Sequence, residues 1–337
     1  MPPELRMGHT LQTADLTLDH AWSSQRSAGI VGLGTALPER KVANAELAQA
    51  LGLSDGWIER RTGIVERRYA APGERVVDLA QRAAEVALLD AELDPQELDL
   101  VLVATLAADE ITPGTAPLLA HALGCVHAAA IDIGAACAGS LAALALGSAW
   151  IEAGRASNAL VVGAEILSRF VNMEDRRTAH LFGDGAGALV LRAGGAGRIG
   201  PILLDSDGAG AGLIHATREQ ALLEMDGHET FLQAVHQLHV STMSVLERAG
   251  LALQDVDLFV YHQANSRILG AVADRLGVSR GRVLDCIAQT GNTSAASVPL
   301  ALAHARENGL LQPGMRIVIG AVGAGLTWGA AVVEWNA

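Results

Sequence analysis

The sequence predicts a layered α/β fold made of two related halves. Short apolar runs typical of buried strands alternate with longer segments of helical periodicity, as expected when helices pack on sheets. The order helix, acidic turn, strand also occurs twice at the same spacing, at 93–103 and at 251–261. We interpret this match as an internal duplication with its join near 195–205, where 194–200 is glycine-rich. Chance similarity between two ordinary helix-to-strand connections is the alternative.

The individual elements follow from apolar periodicity and from proline and glycine positions. Pro38 marks the exit of the first predicted strand. In the first half we expect strands at 29–37, 98–105, 128–133 and 159–163, and helices at 76–91 and 138–153. In the second half we expect helices at 229–249 and 266–276, and strands at 258–261 and 315–321.

These elements divide the chain into three parts. Residues 1–27 are expected to form an N-terminal extension outside the core, disordered in part, since they hold prolines and scattered polar residues. They lack the uninterrupted apolar segment behind a basic start that marks a secretory signal. The first half is expected to span 28–199 and to carry the nucleophile, and the second to span 200–337.

The composition of the chain argues against several classes of function. Half of the 337 residues are hydrophobic, yet no apolar run approaches the roughly 20 residues that cross a bilayer, so no membrane association is expected. The net charge of −13 disfavours nucleic acid as a partner. An anionic substrate would therefore need a local basic patch. The three cysteines form an odd set without CxxC spacing, which argues against disulfides and a cysteine metal site and fits a reducing cytoplasm.

Cys137 is the first candidate for chemistry, because it lies between a predicted strand and a predicted helix. A thiol at a helix N-terminus faces free backbone N–H groups and the positive end of the helix dipole, which favour the reactive thiolate. The small residues around it, 135–139, leave room for an incoming group. The alternative is a small buried hydrophobic residue, and this position alone leaves both interpretations open.

Three further segments, all in the second half, contain candidate site residues. His262 follows an apolar strand and precedes a helix, where sites of layered α/β proteins form, although a capping or core histidine is the simpler interpretation. The segment 290–297 consists of small residues around Asn292, and alone it is an ordinary polar turn. The segment 320–329 is a glycine-rich turn between two strands, which can point a backbone N–H at an oxyanion.

Together these segments resemble, in order and spacing, the β-ketoacyl-acyl carrier protein synthase III family of the thiolase superfamily. The resemblance runs from about Gly29 to the C-terminus. Its motifs are Trp-Ile-Glu-Arg-Arg-Thr-Gly-Ile (57–64), Ala-Ala-Cys-Ala-Gly (135–139), Phe-Gly-Asp-Gly-Ala-Gly (182–187), His-Gln-Ala-Asn (262–265), Gly-Asn-Thr-Ser-Ala-Ala-Ser-Val-Pro (291–299) and Gly-Leu-Thr-Trp-Gly (325–329). It implies a five-layered αβαβα fold of two duplicated halves and a homodimer.

The resemblance also implies a mechanism. Cys137 would take an acyl group from a CoA thioester, and His262 and Asn292 would hold the carbonyl of a malonyl thioester, usually on acyl carrier protein, as it loses carbon dioxide. The backbone N–H groups of Cys137 and Ala324 would form the oxyanion hole. No metal and no cofactor are implied. Asp184, in Gly-Asp-Gly, is interpreted as a residue that orders a turn.

Binding residues follow from the same resemblance. Trp57 and Arg176 would flank the adenine of CoA, and Arg61 and Arg267 would meet phosphates or the carrier protein. The pantetheine tunnel would be lined by Met225, Gly227, Phe231, Ala264 and Asn265.

Several positions depart from the family's usual residues. Thr112 and Val322 stand where phenylalanine is common, so the acyl pocket is expected to admit a starter longer or more branched than acetyl. Leu232 and Asp274 stand where lysine is common, which weakens steering of an acidic carrier protein. The stretch between Ser206 and Met225 is shorter than usual.

The preferred function is therefore decarboxylative condensation that primes fatty-acid or polyketide chains. Transfer of the acyl group to a hydroxyl, an amine or a β-keto thioester is the main alternative. A catalytically dead partner subunit would lack the cysteine. A papain-like hydrolase would have its cysteine near the chain start in a Cys-Trp helix, which this chain does not have.

Overall fold

A computed structural model describes residues 26–336. The strands in this range are β1 (Ala28–Ala36), β2 (Arg40–Ala43), β3 (Glu66–Tyr69), β4 (Leu100–Ala104), β5 (Ala129–Ile133), β6 (Asn158–Glu165), β7 (Gly185–Ala193), β8 (Arg198–Ser206), β9 (Ile214–His215), β10 (Glu224–Met225), β11 (Leu258–Tyr261), β12 (Arg316–Gly323) and β13 (Thr327–Glu334). The helices are α1 (Asn44–Leu51), α2 (Trp57–Thr62), α3 (Val76–Asp90), α4 (Thr115–Ala122), α5 (Gly139–Glu152), α6 (Gly227–Ala249), α7 (Ser266–Leu276) and α8 (Ser297–Glu307). The expectation about 1–27 lies outside the described residues, apart from its last two positions.

Five layers stack in the order helix, sheet, helix, sheet, helix. The larger sheet has the strand order β1-β7-β6-β4-β5, and the smaller one has the order β11-β12-β13-β8. Helices α5 and α8 lie between the sheets and contact both. Helices α3 and α4 cover the outer face of the larger sheet, and α6, which packs against α7, covers that of the smaller one. The αβαβα architecture expected from the resemblance is confirmed.

The two sheets have the same topology. In the larger sheet β1 pairs antiparallel with β7, β7 antiparallel with β6, and β6 parallel with β4. In the smaller sheet β8, β13, β12 and β11 repeat these orientations in the same order. The fifth position, filled by β5 in the first half, is reduced to one parallel bridge between Phe259 and Val283. The internal duplication is therefore confirmed, while the division of the chain at 199/200 stays a proposal and falls inside β8.

Most predicted elements are present, with shifts at their ends. Helix α6 begins at Gly227, two residues before the predicted start, because the Asp226 side chain accepts hydrogen bonds from the N–H groups of His228 and Glu229. Helix α8 was not predicted from the sequence. It is buried between two sheets and apolar around much of its circumference, so it has no polar face to reveal its period.

No helix among residues 26–336 is long and apolar enough to cross a membrane.

The core depends on close packing of helices on the sheets. A Cβ atom on Gly34 of β1 would lie 2.1 Å from the carbonyl oxygen of Ala83 in α3, well inside van der Waals contact. Glycine at this position therefore lets α3 lie directly on the strand.

Gly34→Ala is expected to destabilise the protein by about 1–3 kcal/mol, because the added methyl group must push α3 away from β1. Urea-induced unfolding at fixed protein concentration measures the change. Gly212→Ala is the matched control, since no atom lies within 4 Å of its added Cβ and its backbone conformation is ordinary. Equal midpoints for the two variants would contradict this account of the α3 packing.

Candidate active site

Cys137 lies on a one-turn 3-10 helix, Ala136–Ala138, that leads into α5. Ala136 has φ 45°, a left-handed conformation that turns the chain sharply before the cysteine. The end of β12 lies against this segment, because a Cβ on its last residue, Gly323, would lie only 2.8 Å from the Cys137 nitrogen. The Thr327 hydroxyl also donates a hydrogen bond to the Ala135 carbonyl, at 3.1 Å. The glycine-rich turn therefore fixes the backbone around the thiol.

His262 and Asn292 are held by backbone hydrogen bonds. His262 follows β11, and its N–H donates to the Gly320 carbonyl on β12 at 2.8 Å. The Asn292 side-chain oxygen accepts from the Ser294 N–H at 2.9 Å, which orients the amide and leaves its Nδ2 group available as a donor. Both residues are buried and line the same cavity as Cys137.

Burial decides the charge of His262. It lowers the pKa of the imidazole to about 4, so the ring is neutral near pH 7. A neutral histidine keeps one N–H that it can donate to a ligand. Nδ1 is buried and has no hydrogen-bond partner within residues 26–336, which leaves Nε2 as the nitrogen for a ligand.

Burial also raises the pKa of the Cys137 thiol to about 11. A hydrogen bond with Ser294 and the Cys137 backbone N–H act in the opposite direction, and Glu165 raises the pKa further. The sequence argument expected the helix N-terminus to favour a thiolate, but burial outweighs it. The thiol is therefore protonated at neutral pH and must lose its proton before it can attack a carbonyl.

The cavity has a volume of about 740 Å³. It is lined by all but one of the site residues taken from the resemblance, which are Trp57, Arg61, Cys137, Arg176, Met225, Gly227, Phe231, His262, Ala264, Asn265, Arg267, Asn292, Val322 and Ala324. The exception is Thr112, which is exposed and lies away from the cavity of its own chain. Its role in a pocket completed across a dimer stays a prediction.

The cavity has a buried end at His262 and Asn292 and an exposed rim that is rich in arginine. Its exposed rim carries Arg61, Arg176, Arg177 and Arg267, while no Asp or Glu is among the described lining residues. This is the local basic patch that an anionic substrate would need on a chain of net charge −13. The Arg61 guanidinium lies 4.7 Å from the Trp57 ring centroid, a cation–π contact that holds both side chains at the rim.

Several other predicted positions have structural surroundings. Asp184 is buried and accepts hydrogen bonds from the N–H groups of Ala70 and Ser168 and from the Ser168 hydroxyl, so it orders a turn as interpreted. Cys125 and Cys286 lie outside the cavity, and burial raises the pKa of each thiol.

The departures from the family pattern lie at the rim or beside it. Leu232 lines the cavity and is half-exposed, whereas Asp274 pairs with Arg280 on the neighbouring surface. The short β9–β10 hairpin contributes Ile214 and Met225 to the lining.

Sequence reasoning missed several polar residues that line the cavity. Arg177 and His180 line the cavity, and Arg177 had a signal in its position next to Arg176. Ser294 also lines it and lies within the small-residue segment 290–297, which gave it no individual role.

The sequence of this chain is similar to those of one family of known proteins. The family model for 3-oxoacyl-[acyl-carrier-protein (ACP)] synthase III matches residues 131–208, and the model of its C-terminal part matches 246–335. A β-ketoacyl-[acyl-carrier-protein] synthase III of Streptomyces coelicolor is 46% identical over 329 residues, covering 93% of this chain and 98% of the relative. The chain belongs to the 3-oxoacyl-[acyl-carrier-protein] synthase III family.

Solved structures of synthase III proteins match the fold. The 3-oxoacyl-(acyl carrier protein) synthase III of Pseudomonas aeruginosa has a TM-score of 0.88 and 44% identity, covering 93% of this chain and 99% of that one. The priming β-ketosynthase of the R1128 polyketide pathway has a TM-score of 0.88 and 37% identity, covering 92% and 97%. This synthase III chain is therefore an enzyme of thiolase-like fold, as the resemblance implied.

In this synthase III site Gly323 lies so close to the Cys137 nitrogen that an added methyl group should move the cysteine. Gly323→Ala is expected to slow acylation of Cys137 by roughly 10- to 100-fold, because the added methyl group displaces the turn that carries this cysteine. Single-turnover transfer from a saturating acyl-CoA, followed by mass spectrometry, measures the rate. Gly227→Ala is the control, since it also lines the cavity but meets no atom within 4 Å. An unchanged rate in Gly323→Ala would show that the turn tolerates displacement.

Proposed function

We propose that this protein catalyses decarboxylative condensation of an acyl-CoA starter with a malonyl thioester carried by acyl carrier protein, and so primes fatty-acid or polyketide chains. The observation that carries the proposal is the meeting of Cys137, His262 and Asn292 at the buried end of one cavity whose exposed rim is arginine-rich. Its solved relatives include both a synthase III and a polyketide-priming ketosynthase.

In the first half-reaction the Cys137 sulfur attacks the thioester carbonyl of the acyl-CoA. A C–S bond forms to Cys137, and the bond to the CoA sulfur breaks as CoA leaves as a thiolate. The backbone N–H groups of Cys137 and Ala324 would stabilise the negative oxygen of the tetrahedral intermediate. The tight approach of Gly323 to the Cys137 nitrogen supports this role, since it fixes the two backbone segments relative to each other.

In the second half-reaction His262 and Asn292 would donate hydrogen bonds to the thioester oxygen of the malonyl group. Loss of carbon dioxide leaves an enolate whose charge rests on that oxygen, and two fixed donors in a buried pocket stabilise it. The enolate carbon then attacks the acyl-Cys137 carbonyl, and the cysteine sulfur leaves. The low pKa of His262 supports this role, because a neutral ring does not titrate away near pH 7.

The outer cavity is proposed to bind the carrier portions of both substrates. Trp57 and Arg176 would flank the CoA adenine, and Arg61 and Arg267 would contact phosphates or the acyl carrier protein. The pantetheine arm would run past Met225, Gly227, Phe231, Ala264 and Asn265. A homodimer and a cytoplasmic location complete the proposal.

The acyl group is proposed to be longer or more branched than acetyl. Val322 lines the cavity and is smaller than the phenylalanine that is common there, which leaves volume for extra methylene groups. Thr112 would add to this space if a second chain brings it to the pocket.

Transfer of the acyl group to a hydroxyl, an amine or a β-keto thioester remains the second candidate. Such a transfer needs no stabilised enolate from malonyl decarboxylation. The presence of both His262 and Asn292, each oriented by the backbone beside the cavity, favours condensation.

Incubation with an acyl-CoA is expected to add one acyl mass to the peptide that contains Cys137, because this is the cysteine at the cavity. Proteolysis and mass spectrometry locate the label. The Cys286→Ser variant, altered outside the cavity, should label like the wild type. A label on Cys125 or Cys286 would instead refute the assignment of the nucleophile.

His262→Ala is expected to acylate Cys137 but to release carbon dioxide from a malonyl thioester about 100-fold or more slowly, since one of two enolate donors is lost. Release of labelled carbon dioxide measures this step, and intact-protein mass measures acylation. His236→Ala, an exposed histidine outside the cavity, serves as the control. Full condensation by His262→Ala would rule out the proposed role.

A further inference from the structure

A buried carboxyl group lies behind the nucleophile. Glu165 is the last residue of β6 and is completely buried. Its carboxyl accepts hydrogen bonds from the Thr105 hydroxyl at 3.2 Å and from the Leu106 N–H at 3.1 Å. The nearby Ala295 N–H also lowers the pKa of this carboxyl. Glu165 does not line the cavity, so it is not placed to contact substrate.

Glu165 has no cationic partner within residues 26–336. The ionisable group that faces it from the neighbouring elements is the Cys137 thiol, and its other side-chain neighbours, Thr105 and Ser294, carry hydroxyls. Burial raises the pKa of Glu165 to about 8, against the four hydrogen-bond donors. Both the acid and the carboxylate are thus accessible near neutral pH, unlike an ordinary surface glutamate.

Ser294 joins this carboxyl to the nucleophile. Its hydroxyl donates to a Glu165 oxygen at 3.0 Å, and Ser294 lines the same cavity as Cys137, whose thiol pKa it lowers. Its backbone is fixed by the Asn292 side chain, which accepts from the Ser294 N–H. Thiol, hydroxyl and carboxyl therefore follow one another from the cavity into the core, across the contact between the turns that carry Cys137 and Ser294.

The acylation step needs a proton acceptor, because a half-buried thiol with a pKa of about 11 does not ionise by itself at neutral pH. His262 is a weak base, since burial lowers its pKa to about 4, and the proposed mechanism uses it as a hydrogen-bond donor. Some other group must accept the thiol proton.

We propose that Glu165 is a positioning residue that accepts the proton of Cys137 through the Ser294 hydroxyl. As the Cys137 sulfur attacks the acyl-CoA, its proton passes to the Ser294 oxygen, and the Ser294 proton passes to the Glu165 carboxylate. The C–S bond forms at Cys137, CoA leaves as a thiolate, and Glu165 becomes a neutral acid. The inference rests on the proposed function for its substrate, but not for its proton path.

In the second half-reaction the proton moves back along the same path, from Glu165 to Cys137. When the enolate carbon attacks acyl-Cys137, the cysteine sulfur leaves as a thiolate, and Glu165 returns its proton through Ser294. The carboxyl group therefore holds the proton for as long as the acyl-enzyme exists. A neutral Glu165 during that time also keeps a negative charge away from the enolate that forms in the same pocket.

The test is the pH dependence of Cys137 acylation in single-turnover experiments with acyl-CoA. In the wild type the rate is expected to rise with pH, to reach half its maximum near the Glu165 pKa of about 8, and to level off above it, since only the carboxylate accepts a proton. Glu165→Gln should lower the rate at pH 7 by about 100-fold or more. Its rate should also keep rising with pH, without the plateau.

Two further variants separate the proton path from a structural effect. Ser294→Ala keeps the carboxyl but removes the link, so it should also lose the plateau. Thr105→Val removes a donor to Glu165 that lies off the path; it should keep the plateau and move its midpoint to higher pH, because the carboxylate loses a stabilising hydrogen bond. If Glu165→Gln does not fold, Ser294→Ala decides the question.

The inference is overturned if Glu165→Gln or Ser294→Ala keeps both the wild-type rate and its plateau. A failure of the proposed function looks different: the wild type would then accept no acyl group from a CoA thioester. In that case alkylation of Cys137 by iodoacetamide reports the same proton loss, and the same pattern among the three variants would still support the role of Glu165.

Discussion

The active site depends on contact between two turns that lead into the central helices. The turn that carries Cys137 precedes α5, and the turn 294–296 precedes α8. They touch because small residues allow it: a Cβ on Gly139, directly after the first turn, would lie 3.4 Å from the Ala295 side chain. Strand β6 supports the second turn equally closely, since a Cβ on Gly163 would lie 2.1 Å from the Ala295 carbonyl. Without this approach the thiol, the Ser294 hydroxyl and the Asn292 amide would not share one cavity.

Burial then gives each of these groups its chemical state. The same loss of solvent raises the pKa of Cys137 and Glu165 and lowers that of His262, so all three tend towards neutral forms. In such a pocket a new charge is stabilised by oriented N–H and O–H groups, which need not reorganise as water would. Charge is instead concentrated at the rim, where four arginines remain exposed to solvent.

Much of the fold and the centre of the site could be predicted from the sequence, for physical reasons. Strand β4 is a continuous apolar run, helix α3 has a strong apolar period, and Cys137, His262 and Asn292 occur in motifs of fixed spacing. Helix α8 could not be found by period because both of its sides are buried. Glu165 gave no signal, since one acidic residue at a strand end is ordinary until the fold places it against Ser294. The neutral thiol was also missed, because depth of burial is a property of the assembled layers.

The duplicated topology gives the two turns a common geometry. Ala136 and Ser294 both have a left-handed φ, of 45° and 48°, and each begins a three-residue 3-10 turn that runs into a central helix. Ala295 therefore occupies in the second half the place that Cys137 occupies in the first. A molecule with two identical halves would carry a second thiol on the turn that contacts the Cys137 turn, where two thiols could oxidise to a disulfide. The second half has alanine at this place, and Ser294 and Asn292 beside it supply a hydroxyl and an amide to the shared cavity.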